Sequence, residues 1–140
     1  MKLQHKSLVF FFSLLISTFS FAQKKVTSPA ETVSGKINGA TITIKYGSPS
    51  VKGRAIWGAL VPYDKVWRAG ANDATTFETD KTITIEGKQL PAGKYSFFVI
   101  PNENESIIIF NKEAKQWGSY DYKASSDQLR VTVKNENGDA

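Results

Sequence analysis

The sequence predicts an all-β domain, a small antiparallel β-sandwich or jelly-roll-like fold. Three observations carry this. Beyond the N-terminal leader, no window of about eleven residues shows a convincing 3.6-residue apolar period. Short segments with period-two alternation recur instead, rich in β-branched and aromatic residues. Turn signals separate them, Asn38-Gly39 and Leu90-Pro91-Ala92-Gly93 above all.

The first segment is a targeting sequence rather than a fold element. Lys2, His5 and Lys6 form a basic start, residues 7–21 are apolar or hydroxylated, and Ser20-Phe21-Ala22 fits a small-x-small cleavage site. Residues 1–22 are therefore expected to be a signal peptide and residues 23–140 a single domain, exported to a bacterial periplasm or exterior. No membrane span is expected after cleavage. No cysteine follows the apolar run, which excludes a lipid anchor of the bacterial lipoprotein kind.

The strands follow in order. Residues 32–37 and 40–46 flank Asn38-Gly39, the preferred type I′ hairpin turn. A two-residue loop sets Ile37 opposite Ala40, Gly35 opposite Ile42 and Val33 opposite Ile44 on one apolar face. Lys36/Thr41, Ser34/Thr43 and Thr32/Lys45 fall on the other, and a one-residue slip would destroy that agreement. Residues 47–50 read as a loop. Residues 54–60 alternate and are expected to form a strand, with Ala55, Trp57 and Ala59 on one side and Arg54, Ile56, Gly58 and Leu60 on the other. Pro62 biases Val61 towards an extended conformation, and residues 69–73 are loop. Residues 75–78 and 82–86 are the next strands. They either pair through residues 79–81, placing Thr75 and Phe77 with Ile83 and Ile85, or lie in opposite sheets. A type I turn at residues 90–93 leads into residues 95–100, which become apolar on both faces and so belong in the centre of the sheet. After a polar turn, residues 107–110 form another apolar strand. Residues 111–127 are polar and poorly periodic but carry Trp117, Tyr120 and Tyr122. Residues 128–134 close as a strand through Leu129, Val131 and Val133.

Composition restricts the chemistry. The chain has no cysteine, and its one histidine, His5, lies in the leader. Residues 23–140 therefore cannot build a Ser-His-Asp triad, a Cys-His pair, or a usual zinc or copper site. No metal site, cofactor or catalytic residue is assigned. Carboxylate, lysine, tyrosine and hydroxyl chemistry survive. Eighteen basic residues stand against thirteen acidic ones, and two of the basic ones leave with the leader. That modest, dispersed excess does not imply nucleic acid.

One stretch, residues 46–78, concentrates unusual side chains. It holds Trp57 and Trp67 of the three tryptophans and Arg54 and Arg68 of the three arginines, with Asn72 close behind. Rigid aromatics beside guanidinium and amide groups suit a recognition surface. Strand alternation sends Arg54 and Trp57 to opposite faces, unless Gly53 and Gly58 bend the strand and bring both to one rim. Tyr63 and Trp67 form either a stacking platform for a sugar ring or peptide, or a loop tucked over the end of the sandwich. Arg68 and Asn72 either clamp a carboxylate, phosphate or sugar hydroxyl, or Arg68 bridges loop carbonyls or pairs with Asp64 or Asp73. Asp64, Asp73, Glu78 and Asp121 are the acids a glycan hydrolase would need to bring face to face. Asp121 and Asp127 lack the spacing of a calcium loop.

With these segments in view, the chain resembles a bacterial family named domain of unknown function 2911 (DUF2911), whose members are secreted or lipid-anchored proteins mostly of Bacteroidetes. The matching runs are YGSPSVKGRAIWGALVPYDKVWRAGANDATTF (46–77), LPAGKYSFFVIP (90–101), IIIFNK (107–112) and QWGSYDY (116–122). The resemblance covers nearly all of residues 23–140. It implies an exported β-rich domain and brings no activity, cofactor or catalytic residue with it. Family members often continue past the point where this chain stops, which admits an incomplete C-terminal end.

Non-catalytic binding of a carbohydrate, peptide or envelope component is the leading expectation. Candidate ligand-binding residues are Tyr63, Trp67, Arg68, Asn72, Arg54 and Trp57. The alternatives are a carboxylate-dependent hydrolase acting on glycans, and a structural or assembly protein of the cell envelope.

Overall fold

A computed structural model describes residues 27–138. The expected leader lies outside the described residues. Eight strands form two antiparallel sheets: β1 (Ala30–Ile37), β2 (Ala40–Gly47), β3 (Thr76–Thr79), β4 (Ile83–Ile85), β5 (Lys88–Leu90), β6 (Gly93–Ile100), β7 (Glu105–Asn111) and β8 (Asp127–Lys134). The large sheet has the order β1-β2-β3-β6-β7-β8, and the small one is the hairpin β4-β5.

The first hairpin has the expected register, including Ile37 opposite Ala40, Gly35 opposite Ile42 and Val33 opposite Ile44. Asn38 and Gly39 both have positive φ, 48° and 80°, as a type I′ turn requires. The apolar face is only half covered, however. β1 is an edge strand, and Val33 and Ile37 remain 50% and 63% exposed.

One expected element differs. Residues 54–60 form successive turns rather than a strand. Lys52, Gly53 and Gly58 adopt positive φ, and the Ala59 and Val61 N–H groups both donate to the Ile56 carbonyl. Alternating sequence without a neighbouring strand to pair with folds on itself here. For residues 75–86 the second of the two expected arrangements holds: β3 lies in the large sheet between β2 and β6, and β4 lies in the small one. Asp80 explains the separation: its carboxylate accepts the Thr41 N–H at 2.7 Å and its own N–H donates to the Thr41 carbonyl. The backbone bond from Thr41 holds the Asp80 carboxyl below its ordinary pKa. The chain is thereby tied to β2 and turned out of the sheet. β4 pairs instead with β5 across Glu86-Gly87, whose φ values of 48° and 75° repeat the geometry of the first turn.

Both faces of the large sheet are covered, by unlike layers. On one face Phe98 and Ile109 pack with Ala74, Val66 and Tyr122, which come from the long loops 48–75 and 112–126. On the other, Tyr95 and Phe110 pack with Leu90, Phe77, Ile83 and Ile85, so the β4-β5 hairpin forms the second layer. Phe77, Ile83 and Ile85 share one cluster because the hairpin folds over the face, not because β3 and β4 are neighbours. The result is a sandwich-like, open antiparallel β fold. β6 sits centrally between β3 and β7, as its two-faced apolarity predicts.

Phe98 is fully buried, so Phe98→Ala is expected to destabilise the protein by ~3–5 kcal/mol in urea titrations. Ile37→Thr, on the exposed edge, is expected to stay within about 0.5 kcal/mol of the parent.

Candidate functional site

β3 has four residues and β6 has eight. The half of β6 beyond β3 would present unpaired backbone groups, and the long loop after β2 supplies their partners. Phe97 N–H donates to the Thr75 carbonyl at 2.7 Å, Val99 and Trp67 exchange two bonds of 2.8 Å, and Asp64 N–H reaches the Pro101 carbonyl at 2.9 Å. The loop's other end is fixed at Gly47. A Cβ there would lie 2.2 Å from the Ala71 carbonyl oxygen, so only glycine permits this approach. Ala71 N–H donates to the Gly47 carbonyl across the same contact.

This attachment assembles the aromatics. With its backbone on the edge of β6, Trp67 meets the Trp57 ring edge to face, at a centroid distance of 5.6 Å and an interplanar angle of 90°. Trp57 remains 58% exposed. The Tyr63 ring lies over Gly58, where a Cβ would approach it to 2.9 Å. Trp57 and Tyr63 then line a cleft of about 360 Å³, faced by Asn102, Glu103, Asn135 and Glu136. The polar wall is cross-linked. Asn135 donates to the Asn102 carbonyl at 2.7 Å and accepts from Ser106 at 2.8 Å, while Asn102 donates to the Asp64 carboxylate at 2.9 Å.

The remaining candidates are distributed elsewhere. Arg54 donates to the carbonyls of Val51 (3.0 Å) and Ser50 (2.7 Å), so its guanidinium closes its own turn. Arg68 makes no hydrogen bond or ion pair with any described residue, Asp64 and Asp73 included, and its Nε is buried without a partner. Its Nη1 and the Tyr120 ring flank Gly118, at 3.3 Å and 3.1 Å from where a Cβ would stand. Asn72 holds a left-handed conformation (φ 63°), its carbonyl accepts the Gly118 N–H, and its side chain points to the Ser28 carbonyl at 3.4 Å. Arg68 and Asn72 thus meet at Gly118 through a guanidinium and a main-chain carbonyl, not as a paired clamp. Asn72 lines a second cleft, away from the tryptophans.

Sequence reasoning missed the polar wall. Asn102 and Asn135 lie in a turn and a tail, more than thirty residues apart, and nothing local marks them. Tyr120, 84% exposed, carried a signal as an aromatic in a polar run.

Neither cleft brings together two of Asp64, Asp73, Glu78 and Asp121; the acids that share the aromatic cleft are Glu103 and Glu136. Among the described residues no group of three His, Cys, Asp or Glu side chains is placed to hold a metal ion. No described helix is long and apolar enough to cross a membrane. Asp127 sits at the hub of a structural network: it accepts from Arg130 Nε at 2.6 Å, the Tyr122 hydroxyl at 2.7 Å and Asn111 Nδ2 at 2.9 Å. Burial, and then the bond to Asp127, push the Tyr122 phenol above its ordinary pKa.

A family model described as Protein of unknown function (DUF2911) matches residues 28–140, and the chain belongs to that family. Nothing matches among curated proteins or solved structures.

Tyr122 and Tyr95 both have phenols raised by burial. Their neutral forms are favoured by folding, so this stability is present below pH about 10, the unfolded phenol value. It is lost as pH rises through the folded values. Thermal melts from pH 8 to 11 should show a falling alkaline limb, and Tyr122→Phe should flatten it.

Proposed function

We propose that this is an exported, non-catalytic domain that binds a carbohydrate in the cleft between Trp57 and Tyr63. The observation that carries the reading is the half-exposed Trp57 indole, held edge-on by Trp67 and facing a wall of amides and carboxylates. A sugar ring offers C–H faces to an aromatic plane and hydroxyls to planar amide and carboxylate groups. The cleft has no lysine or arginine in its lining, which fits a neutral polyhydroxylated ligand better than an anionic one. Export follows from the leader in residues 1–22. The envelope or exterior is where glycans of that kind are met.

The test is calorimetric titration of the protein with a panel of soluble oligosaccharides, with reducing-end release followed in the same samples. A saturating glycan should lose about two- to tenfold in affinity on Trp57→Ala, the equivalent of the ~0.5–1.5 kcal/mol of an aromatic contact. The melting temperature should fall by only a few degrees, because Trp57 loses its contact with Trp67 but is more than half exposed. Equal affinity for the variant would refute the site. Turnover abolished by Glu103→Gln or Glu136→Gln would replace the binding reading with hydrolysis.

A second reading, assembly within the envelope, draws on β1. Its eight residues are all exposed, its outer edge pairs with no described strand, and it presents Val33 and Ile37. Such an edge accepts an added strand. Under this reading sedimentation shows a concentration-dependent mass that Ser34→Pro abolishes by blocking the outer edge; a monomer at all concentrations rules out self-assembly.

A further inference from the structure

The cleft that receives Asn72 is separate from the aromatic one and chemically different. Its volume is about 500 Å³, inside the range of ~300–1,000 Å³ usual for small-molecule sites. Its position follows from the sheet. The register Thr32–Lys45–Thr76–Ser96 places these side chains in one row on the face that also carries Phe98 and Ile109. Over β6 and β7 that face is covered by the long loops. Over β1, β2 and β3 the cover stops at residues 71–74 and 114–116, leaving a trough whose floor is the sheet.

The walls are mostly apolar and made of small residues, Ala30, Gly47, Ala71, Ala74 and Ala114. Three ammonium groups border this space: Lys45 and Lys94 from the sheet and Lys115 from the loop above. None makes an ion pair with a described residue. Their methylene stems extend the apolar wall while their charged ends remain wet. Glu31 and Asp73 also line the cleft, but Glu31 is one position off the Thr32–Lys45 row and alternates to the other face. Glu78 stands directly opposite Lys94 in the sheet, so the three lysines exceed Asp73 and Glu78 by one charge. Arginine is absent from the lining, so recognition would be by point charge rather than by a bidentate fork. Gln116 is not the anchor. Its amide nitrogen is bound to Ser96 (3.0 Å) and to the Glu113 carbonyl (2.8 Å), and its Oε1 is covered by the protein.

We infer that this trough is a second binding site, for a small amphipathic anion with an aliphatic body and one negatively charged end group. The aliphatic part lies along the alanine and glycine walls over the sheet, and the end group sits among Lys45, Lys94 and Lys115. The site is independent of the carbohydrate cleft: the two share no lining residue.

The experiment is calorimetric titration of the protein with dodecanoate below its micelle concentration. Dodecyl phosphate and dodecanol are run beside it, at low and at physiological salt. Both anions should bind, dodecanol should bind at least about tenfold more weakly, and salt should weaken the anions alone. The double variant Lys45→Gln/Lys94→Gln, with both changes at exposed positions, should bring dodecanoate down to the affinity of dodecanol. Ala30→Trp, on the exposed edge strand, should fill the trough and abolish binding of all three. Ile37→Thr controls for adsorption on the exposed edge and should change nothing. A preference for dodecanoate over dodecyl phosphate identifies a carboxylate ligand, and the reverse a phosphate. No binding, equal binding of dodecanol, or binding unaffected by Ala30→Trp would overturn the proposal, whatever the glycan titrations give.

Discussion

The mismatch between β3 and β6 is the constraint on which the rest of the molecule depends. An eight-residue central strand flanked on one side by a four-residue strand leaves several main-chain donors and acceptors without partners. Leaving such groups buried and unmade costs ~1–3 kcal/mol each. The chain meets this by laying Asp64, Trp67 and Thr75 along the vacant half of β6. The same bonds that complete the sheet set the depth and direction of Trp67, which supports Trp57. They also hold the loop over β6, so that it reaches β2 only at Gly47, which leaves the basic trough open. One shortfall of backbone pairing therefore places both clefts.

The first hairpin was legible because two independent signals coincide there. Asn38-Gly39 fixes the turn and the alternation fixes the register, and neither needs the rest of the chain. The centrality of β6 was equally legible from apolar residues on both faces. Residues 54–60 were not, because alternation reports a strand only where a partner edge exists, and the partner is set by tertiary structure. Glu86-Gly87 makes the same backbone turn as Asn38-Gly39. Glutamate is not a residue that announces a left-handed conformation, so the sequence left open whether β4 pairs with β3 or lies in another sheet. Thr41 and Asp80 decide the matter across 39 positions of sequence.

The same division holds at the site. The concentration of Trp57, Tyr63 and Trp67 in one stretch is visible in the sequence, and the fold brings those three together. The reading of Arg68 and Asn72 as a pair came from the chemistry of a guanidinium close to an amide in the chain. In a loop, closeness in sequence fixes no direction for side chains, and Asn72 is occupied as a left-handed turn residue. The opposite wall, Asn102 and Asn135, became visible only when β7 and β8 were paired. The lysines of the trough were hidden for the same reason: Lys45, Lys94 and Lys115 are remote in sequence, and each alone is an ordinary solvated side chain.

Main-chain attachment of the long loop has an evolutionary consequence. Hydrogen bonds between peptide groups do not depend on which side chains the peptides carry. Apart from the glycine at the Gly47 contact and the few residues that reach the core, the loop can therefore change its surface without dismantling the sheet. That is the arrangement expected of a scaffold that keeps one architecture while its descendants diversify what they bind. Selection could alter the surface around Trp57 and Tyr63, where binding is proposed, as a trait nearly separable from folding.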